Sequence, residues 1–280
     1  NAAVALAAPA LLAFNAVINL FGIGSSSMMS RALGRGDLKT VCASASLGFY
    51  GTVVSGALLS ALCYIFMQPF VVLLGGDINT AAATTAYMNW AVVCGAIPTI
   101  LNVVMGYMVR AEGASLHASI GTMSGCILNM ILDPFFILPW GLGMGAAGAG
   151  LATFLSNCFA CCYFFVLLMV RKKKTNINLN PKYLSLTKEI VFGVMEVGIP
   201  AAIQNLLNVT GMTILNNFVA GYGSSAVAAV GIAQKVYMVP IQVALGGTQG
   251  VMPLVGYSYA SKNKQRFEET IQTVMKLLVP

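Results

Sequence analysis

The sequence predicts an all-α polytopic membrane protein, a class indicated by its composition, the length of its apolar runs and the placement of its basic residues. Of 280 residues, 58% are hydrophobic and only 8% are charged, against about 25% charged in an ordinary soluble domain. So few charges could not cover the surface of a soluble protein of this size. The net charge of +7 does not indicate a nucleic-acid-binding protein, because the basic residues lie in short islands between apolar runs.

The apolar runs have the length of membrane-spanning helices, since crossing the hydrocarbon core takes about 20 apolar residues. Each run is much longer than the ~10 residues of a barrel strand, and helices satisfy their own backbone hydrogen bonds within lipid. We therefore expect helical spans, with an eighth run beginning near 267. The seven complete runs lie at 1–30, 41–70, 84–109, 116–138, 146–170, 190–220 and 225–257.

Basic residues mark one side of the membrane. They flank the runs near 31–39, 110, 171–188 and 262–266, whereas the alternate loops contain no Lys or Arg. The positive-inside rule assigns the basic loops to the cytoplasm. The polar segment 171–188 is the longest of them, and its charges indicate either topology alone or contact with anionic lipid. It predicts a linker between an N-terminal lobe, 1–170, and a partial C-terminal lobe, 189–280.

A weak internal repeat relates the two lobes. At an offset of 226 residues, Ala2-Ala3-Val4 matches Ala228-Ala229-Val230. At the same offset the polar exit 34–37 falls on 260–263. Both copies would cross the membrane in the same direction, which favours lobes related by an axis along the membrane normal.

Several motifs resemble those of the MATE (multidrug and toxic compound extrusion) transporters. Segment 125–137, followed by 143–153, is similar to the fifth and sixth helices of that family. Segments 22–37, 197–205 and 256–260 resemble parts of its second, seventh and eighth helices. The resemblance is to the bacterial DinF-like and MepA-like branch. It implies a bundle of two pseudo-symmetric six-helix lobes, of which this chain is a fragment that lacks helix one and most of helices nine to twelve and shows about eight helices.

The resemblance also implies a function. A MATE transporter of the cell membrane would export organic cations or amphipathic xenobiotics by alternating access, in exchange for H⁺ or Na⁺. We expect a monomeric transporter with no cofactor, no nucleic-acid partner, no metal site and no catalytic residues. The alternative is a flippase for lipid-linked oligosaccharides or peptidoglycan precursors from the same superfamily. Such flippases tend to line their cavity with several Arg or Lys, whereas only Lys235 is available here.

Asp133 is the acidic residue placed deep within an apolar run. Intramembrane carboxylates are costly and usually face a cavity or a partner. Pro134 has no N–H to offer the preceding turn, and Asn129 lies one turn earlier on the same face. Together these groups predict a site for a coupling cation, the alternative being an Asp that caps a kinked helix. The resemblance adds Thr153, from the next helix, to this site.

Three amides and one base are candidates for the substrate cavity. Gln204, Asn205 and Asn208 lie within an apolar run, where unpaired amides are expensive. Lys235 lies near the middle of the following run, and antiparallel pairing would place it level with Asn208. The alternative is a lysine whose ammonium snorkels to the interface. Where some family members carry a carboxylate on the seventh helix, this chain has Asn208, so we expect no second carboxylate there.

Overall fold

The chain folds into a bundle of helices. The computed structural model describes residues 8–67, 78–139, 141–172, 175–221 and 224–278. Within those ranges, a single 3₁₀ turn, Pro181–Tyr183, accompanies nine helices. In chain order these are α1 (Ala8–Val17, the π-helical turn Ile18–Ile23 and Gly24–Gly34), α2 (Leu38–Ile65), α3 (Ile78–Met88 and the π-helical turn Asn89–Cys94), α4 (Ala96–Ala111), α5 (Ser115–Ile137), α6 (Ala146–Val170), α7 (Lys188–Ala220), α8 (Ser224–Ala260) and α9 (Lys264–Leu278).

The helices match the predicted membrane spans. In the described part of the chain, six of them, namely α1, α2 and α5 to α8, are long and apolar enough to cross a membrane. Helices α3 and α4 together form a further span that is bent by 47° around Gly95. This confirms the seven predicted runs, and α9 corresponds to the eighth. The first residues of the repeat, 2–4, lie outside the described ranges.

Helix α4 is the centre of the N-terminal lobe. Helices α1, α2, α5 and α6 pack around it, and Ile100, Val104, Met105 and Met108 on α4 are at most 1% exposed. Burial of this kind is expected where neighbouring helices enclose a mostly apolar helix. Helices α5 and α6 pack against each other as an antiparallel pair, and both contact α4.

The C-terminal helices α7 and α8 pack on α1. Helix α7 contacts the π-helical turn of α1, and α8 contacts the segment Gly24–Gly34. A Cβ on Gly198 of α7 would meet the backbone of Leu20, and a Cβ on Gly24 would meet the carbonyl of Val194. These helices approach so closely that only glycine fits at the crossing points, so α1 carries the contact between the lobes.

The internal repeat is visible where α1 meets α8. Two pairs of residues that the 226-residue offset equates lie against each other: Ser30 with Gly256, and Gly34 with Ala260. A residue contacts its own repeat equivalent only near the axis that relates the two copies. The axis therefore runs between the ends of α1 and α8, as expected for two pseudo-symmetric lobes.

The turns that follow α1 and α8 also repeat. Gly36, with φ of 73°, and Lys262, with φ of 55°, are equivalent by the same offset and both adopt left-handed backbone. The next residue caps the following helix in each copy. The Oδ1 atoms of Asp37 and Asn263 each accept a hydrogen bond from the backbone N–H three residues later, at 3.2 and 3.0 Å. The symmetry thus extends to backbone conformation and helix capping.

The described part of the linker begins along the N-terminal lobe. Ile177 is buried in the core of that lobe. Around it, three side chains spaced one turn apart on α2 each donate a hydrogen bond to a linker carbonyl. These are Cys42 to Asn176 at 3.2 Å, Ser46 to Asn178 at 2.8 Å and Tyr50 to Leu179 at 2.8 Å. Residues 175–179 therefore pack as part of the N-terminal lobe.

Glu112, between α4 and α5, anchors the start of this segment. Its Oε2 accepts a hydrogen bond from the Thr175 hydroxyl and its Oε1 accepts one from the Asn176 N–H, both at 2.5 Å. Burial raises the pKa of the Glu112 carboxyl, although these hydrogen bonds and the Arg171 charge act in the opposite direction. These hydrogen bonds connect the loop between α4 and α5 to the linker that follows α6.

The basic loops meet on one side of the molecule, which we call the basic face: residues 35–37, 112–114, 171–172, 175–187 and 261–263. The end of α1 lies against the end of α8 there. The Arg31 guanidinium also donates a hydrogen bond to the carbonyl of Gly193 on α7, at 3.3 Å. The two lobes are therefore in contact at the basic face.

Candidate cation site and substrate cavity

The buried face of α5 continues to Asp133. The buried residues of this helix include Gly121 and Gly125, and the same helical row reaches Asn129 and Asp133. Both of these side chains are half-buried, whereas Met130 on the other side is 70% exposed. The carboxylate therefore lies on the face of α5 that packs against other helices.

Asp133 has no positively charged partner among the described residues. Asn129 Nδ2 donates to Asp133 Oδ1 at 3.5 Å, which is the long limit of a hydrogen bond. No ion pair involves Asp133 in the part of the chain that the structure describes. The Tyr87 phenol, buried on α3, lies within electrostatic range of the carboxylate. An ionised carboxylate at this depth would be costly without a cation.

Helix α6 brings Thr153 to the level of Asn129. Gly125 on α5 and Gly148 on α6 each approach the partner helix so closely that a Cβ would meet its atoms. These two contacts indicate the antiparallel register, in which Thr153 lies between them along α6 at about the level of Asn129. The Thr153 hydroxyl donates to the carbonyl four residues earlier, at 2.9 Å, so its oxygen remains an acceptor.

A buried amide network lies one turn from Thr153, and sequence reasoning missed it. The Asn157 amide donates to the Thr99 hydroxyl at 2.8 Å, and the Asn102 amide donates to Asn157 Oδ1 at 2.8 Å. These bonds join α4 to α6 and orient the face that carries Thr153. The available signal was the four-residue spacing of Thr153 and Asn157, which places both on one helical face.

The four C-terminal candidates are not joined to one another. Gln204, Asn208 and Lys235 are exposed in the described structure, and Asn205 is half-buried. The Asn205 Oδ1 atom is itself buried and has no hydrogen-bond partner among the described residues. No hydrogen bond connects Lys235 to either asparagine among the described residues, so the pairing of Lys235 with Asn208 stays a prediction.

Comparison with known proteins places these features in a family. A family model described as MatE matches residues 2–135 and 200–279. A protein of Staphylococcus saprophyticus named multidrug export protein MepA is 32% identical over 278 residues, which cover 99% of this chain and 60% of that relative. This chain therefore spans about three fifths of the length of that relative.

Solved structures show the same fold. A crystal structure of MATE in complex with MaD5 matches with a TM-score of 0.91 at 25% identity, covering 99% of this chain and 62% of that one. An outward-facing multidrug resistance MATE family transporter of the MOP superfamily matches with a TM-score of 0.87 at 24% identity, covering 99% and 60%. MATE family proteins are transporters and not enzymes. With the family model matched over most of its length, this chain belongs to the MatE family.

Proposed function

We propose that the complete protein exports small organic cations or amphipathic compounds by antiport with H⁺ or Na⁺. The observation that carries the proposal is the Asp133 carboxylate, half-buried within a spanning helix and without a basic partner among the described residues. Neutralisation by a bound cation removes the cost of holding this charge in a bilayer. Loss of that cation would then favour a different packing of the lobes.

The coupling site in this proposal comprises Asp133, Asn129 and Thr153. The α5–α6 register supports their grouping, since it brings the Thr153 oxygen to the level of the Asn129 amide. Carboxylate, amide and hydroxyl oxygens are hard ligands that suit Na⁺, and the carboxylate alone suits a proton. The geometry is compatible with either ion.

Alternating access would use the contact between α1 and α8. The lobes touch at the basic face, which we assign to the cytoplasm by the positive-inside rule. A substrate cavity would then open toward the opposite side in this conformation. A solved relative of the same fold is described as outward-facing, which is consistent with the assignment.

The substrate would be held in the C-terminal part of the cavity by Gln204, Asn205, Asn208 and Lys235. Asn205 has the most support among these four, because its oxygen has no hydrogen-bond partner among the described residues and a substrate donor would satisfy it. A relative named multidrug export protein MepA supports small, chemically varied substrates. Arg31, Arg110 and Lys188 lie at helix ends, whereas Lys235 lies well inside a described span. One base at that depth disfavours recognition of a pyrophosphate.

The proposal is tested in everted membrane vesicles, whose cytoplasmic face points outward. Vesicles that contain the complete protein receive a fluorescent cationic dye outside, with either a proton gradient or a sodium gradient imposed alone. We expect one of the two gradients to drive dye accumulation above that of vesicles without the protein. Accumulation that neither gradient drives, or that requires added ATP, would contradict ion-coupled antiport.

A further inference from the structure

A groove of about 680 Å³ crosses the contact between the lobes on the basic face. Arg31 and Arg35, at the end of α1, line it from the N-terminal lobe. Lys262 and Lys264, at the turn between α8 and α9, line it from the C-terminal lobe. Because the groove adjoins the pseudo-symmetry axis, a ligand bound in it would touch both lobes.

The groove has more positive than negative charge. Its acidic residue, Glu268, faces Lys264 across 3.7 Å in an exposed pair on α9, a kind of pair that contributes little binding energy. The Arg31 guanidinium donates hydrogen bonds to backbone carbonyls of α1 and α7, and it forms no ion pair in the described ranges. Like charges from the two lobes therefore confront each other where the lobes meet.

Arg35 and Lys262 are the groove residues available to a ligand. Neither forms an ion pair within the residues that the structure describes. Asp37 is close enough to Arg35 for an electrostatic interaction, but its carboxylate already accepts hydrogen bonds from the backbone and hydroxyl of Thr40. Both bases are exposed, so an anion can reach them.

Lys262 adopts a backbone conformation that is unfavourable for lysine. Among the described residues, Lys262 is the one non-glycine with positive φ, at 55°, a conformation that is unfavourable for a side chain with a Cβ. Its repeat equivalent is Gly36, which adopts the same conformation freely. Glycine would thus suit this turn better, and the lysine places an ammonium group in the groove at a conformational cost.

Ser258 provides an independent observation. It lines the groove, its side chain is fully buried, and its hydroxyl has no hydrogen-bond partner among the described residues. A buried hydroxyl without a partner carries a free-energy penalty that a ligand oxygen could remove. The groove therefore combines unpaired bases with an unpaired neutral donor.

We propose that this groove binds a phosphate-bearing anion that holds the two lobes together at the basic face. A phosphate with several oxygens could contact Arg35 of one lobe and Lys262 of the other, and accept from the Ser258 hydroxyl. An anionic phospholipid headgroup and free phosphate share this chemistry. Bound anion would offset the repulsion between the lobes and favour the conformation that is closed on this side. The inference does not depend on the proposed transport function.

The test compares binding by variants of the complete protein. Phosphatidylglycerol is titrated onto the protein in detergent and bound lipid is counted by native mass spectrometry, with phosphatidylcholine as reference lipid. In parallel, inorganic phosphate is added to the protein in phosphatidylcholine nanodiscs and the Tm is followed. The variants are Lys262→Gly, which keeps the turn, and Arg35→Gln. The matched control is Lys182→Gln, a charge removal on the exposed linker of the same face.

We expect wild type to prefer phosphatidylglycerol, and each groove variant to bind it roughly fivefold more weakly, while Lys182→Gln binds as wild type does. Lys262→Gly should not lower the Tm without ligand, because it relieves an unfavourable backbone conformation. A rise of Tm with inorganic phosphate in wild type, absent in the groove variants, would support the site with free phosphate as its source. Wild-type anion binding by both groove variants, or an equal loss in Lys182→Gln, would overturn the proposal.

Discussion

Two aspartates show how their surroundings decide what a carboxylate does. Asp37 is exposed on the basic face and caps α2 through Thr40. Asp133 is half-buried within a span. Its hydrogen-bond partner among the described residues is the Asn129 amide, at 3.5 Å. The same functional group therefore stabilises a helix end in one place, and in the other it is the group that we propose binds the coupling cation.

Sequence reasoning found the isolated charge but not the paired amides. A carboxylate in an apolar run is costly wherever it points, so Asp133 could be singled out from the sequence. Asn102 and Asn157 satisfy each other across two helices, and such a pairing depends on a register that no local pattern encodes. The exposed Lys235 likewise gives no local sign of whether it has a partner.

Glu112 should make the stability of the protein depend on pH. Because burial raises the pKa of this carboxyl above its ordinary value of 4.5, the folded state holds the proton more tightly than the unfolded state does. The contribution of Glu112 to stability is therefore full below the ordinary value and is lost as the pH rises through the raised pKa. Glu112→Gln should make the loss of stability with rising pH less steep.

The measurement is the Tm of purified wild type and Glu112→Gln across a pH series that starts below 4.5. Since other carboxyl groups titrate in both proteins, the difference between the two curves isolates Glu112. A difference that stays constant with pH would show that the buried carboxyl does not change its pKa on folding.

At the scale of the element, the sequence predicted the helices but not the π-helical turns within them. The predicted runs match the observed spans because length and apolarity alone determine a membrane helix. The π-helical turns Ile18–Ile23 and Asn89–Cys94 could not be predicted, because both lie in runs so uniformly apolar that a local change in residues per turn leaves no visible sign in the sequence. The first of them packs against α7.

The crossing of α1 and α7 should be sensitive to one methyl group. Gly198→Ala would place a Cβ against the backbone of Leu20, and overpacking of this kind typically costs about 1–3 kcal/mol. The control is Gly211→Ala on the same helix, where a Cβ meets nothing within 4 Å. That change should be neutral or should stabilise the helix by up to about 1 kcal/mol.

Thermal unfolding of the purified variants distinguishes the two glycines. We expect a lower Tm for Gly198→Ala and an equal or higher Tm for Gly211→Ala, each relative to wild type. If both alanines shifted the Tm equally, helix propensity alone would account for the result and the close approach of α7 to α1 would be wrong.

At the scale of the whole molecule, part of the pseudo-symmetry between the two lobes could be predicted from the sequence. The weak match at an offset of 226 predicted parallel copies, but the contact of Ser30 with Gly256 and of Gly34 with Ala260 could be seen only in three dimensions. The axis lies where α1 meets α8, so motion of one lobe against the other would be centred on this contact. The proposed coupling site lies away from it, within the N-terminal lobe.

In the proposed mechanism, Asp133 couples ion binding to export. Asp133→Asn retains the volume and most hydrogen-bonding capacity but cannot be ionised, so it should remove the response to a cation. Asp37→Asn makes the same chemical change at a residue that caps α2 on the basic face, and it serves as the control.

The most direct measurement is gradient-driven uptake of the cationic dye into everted vesicles, with the two variants and wild type matched for folded protein. We predict that Asp133→Asn reduces uptake to the level of vesicles without the protein, and that Asp37→Asn retains wild-type uptake. If Asp133→Asn still concentrates the dye at the wild-type rate under the same ion gradient, Asp133 does not bind the coupling cation.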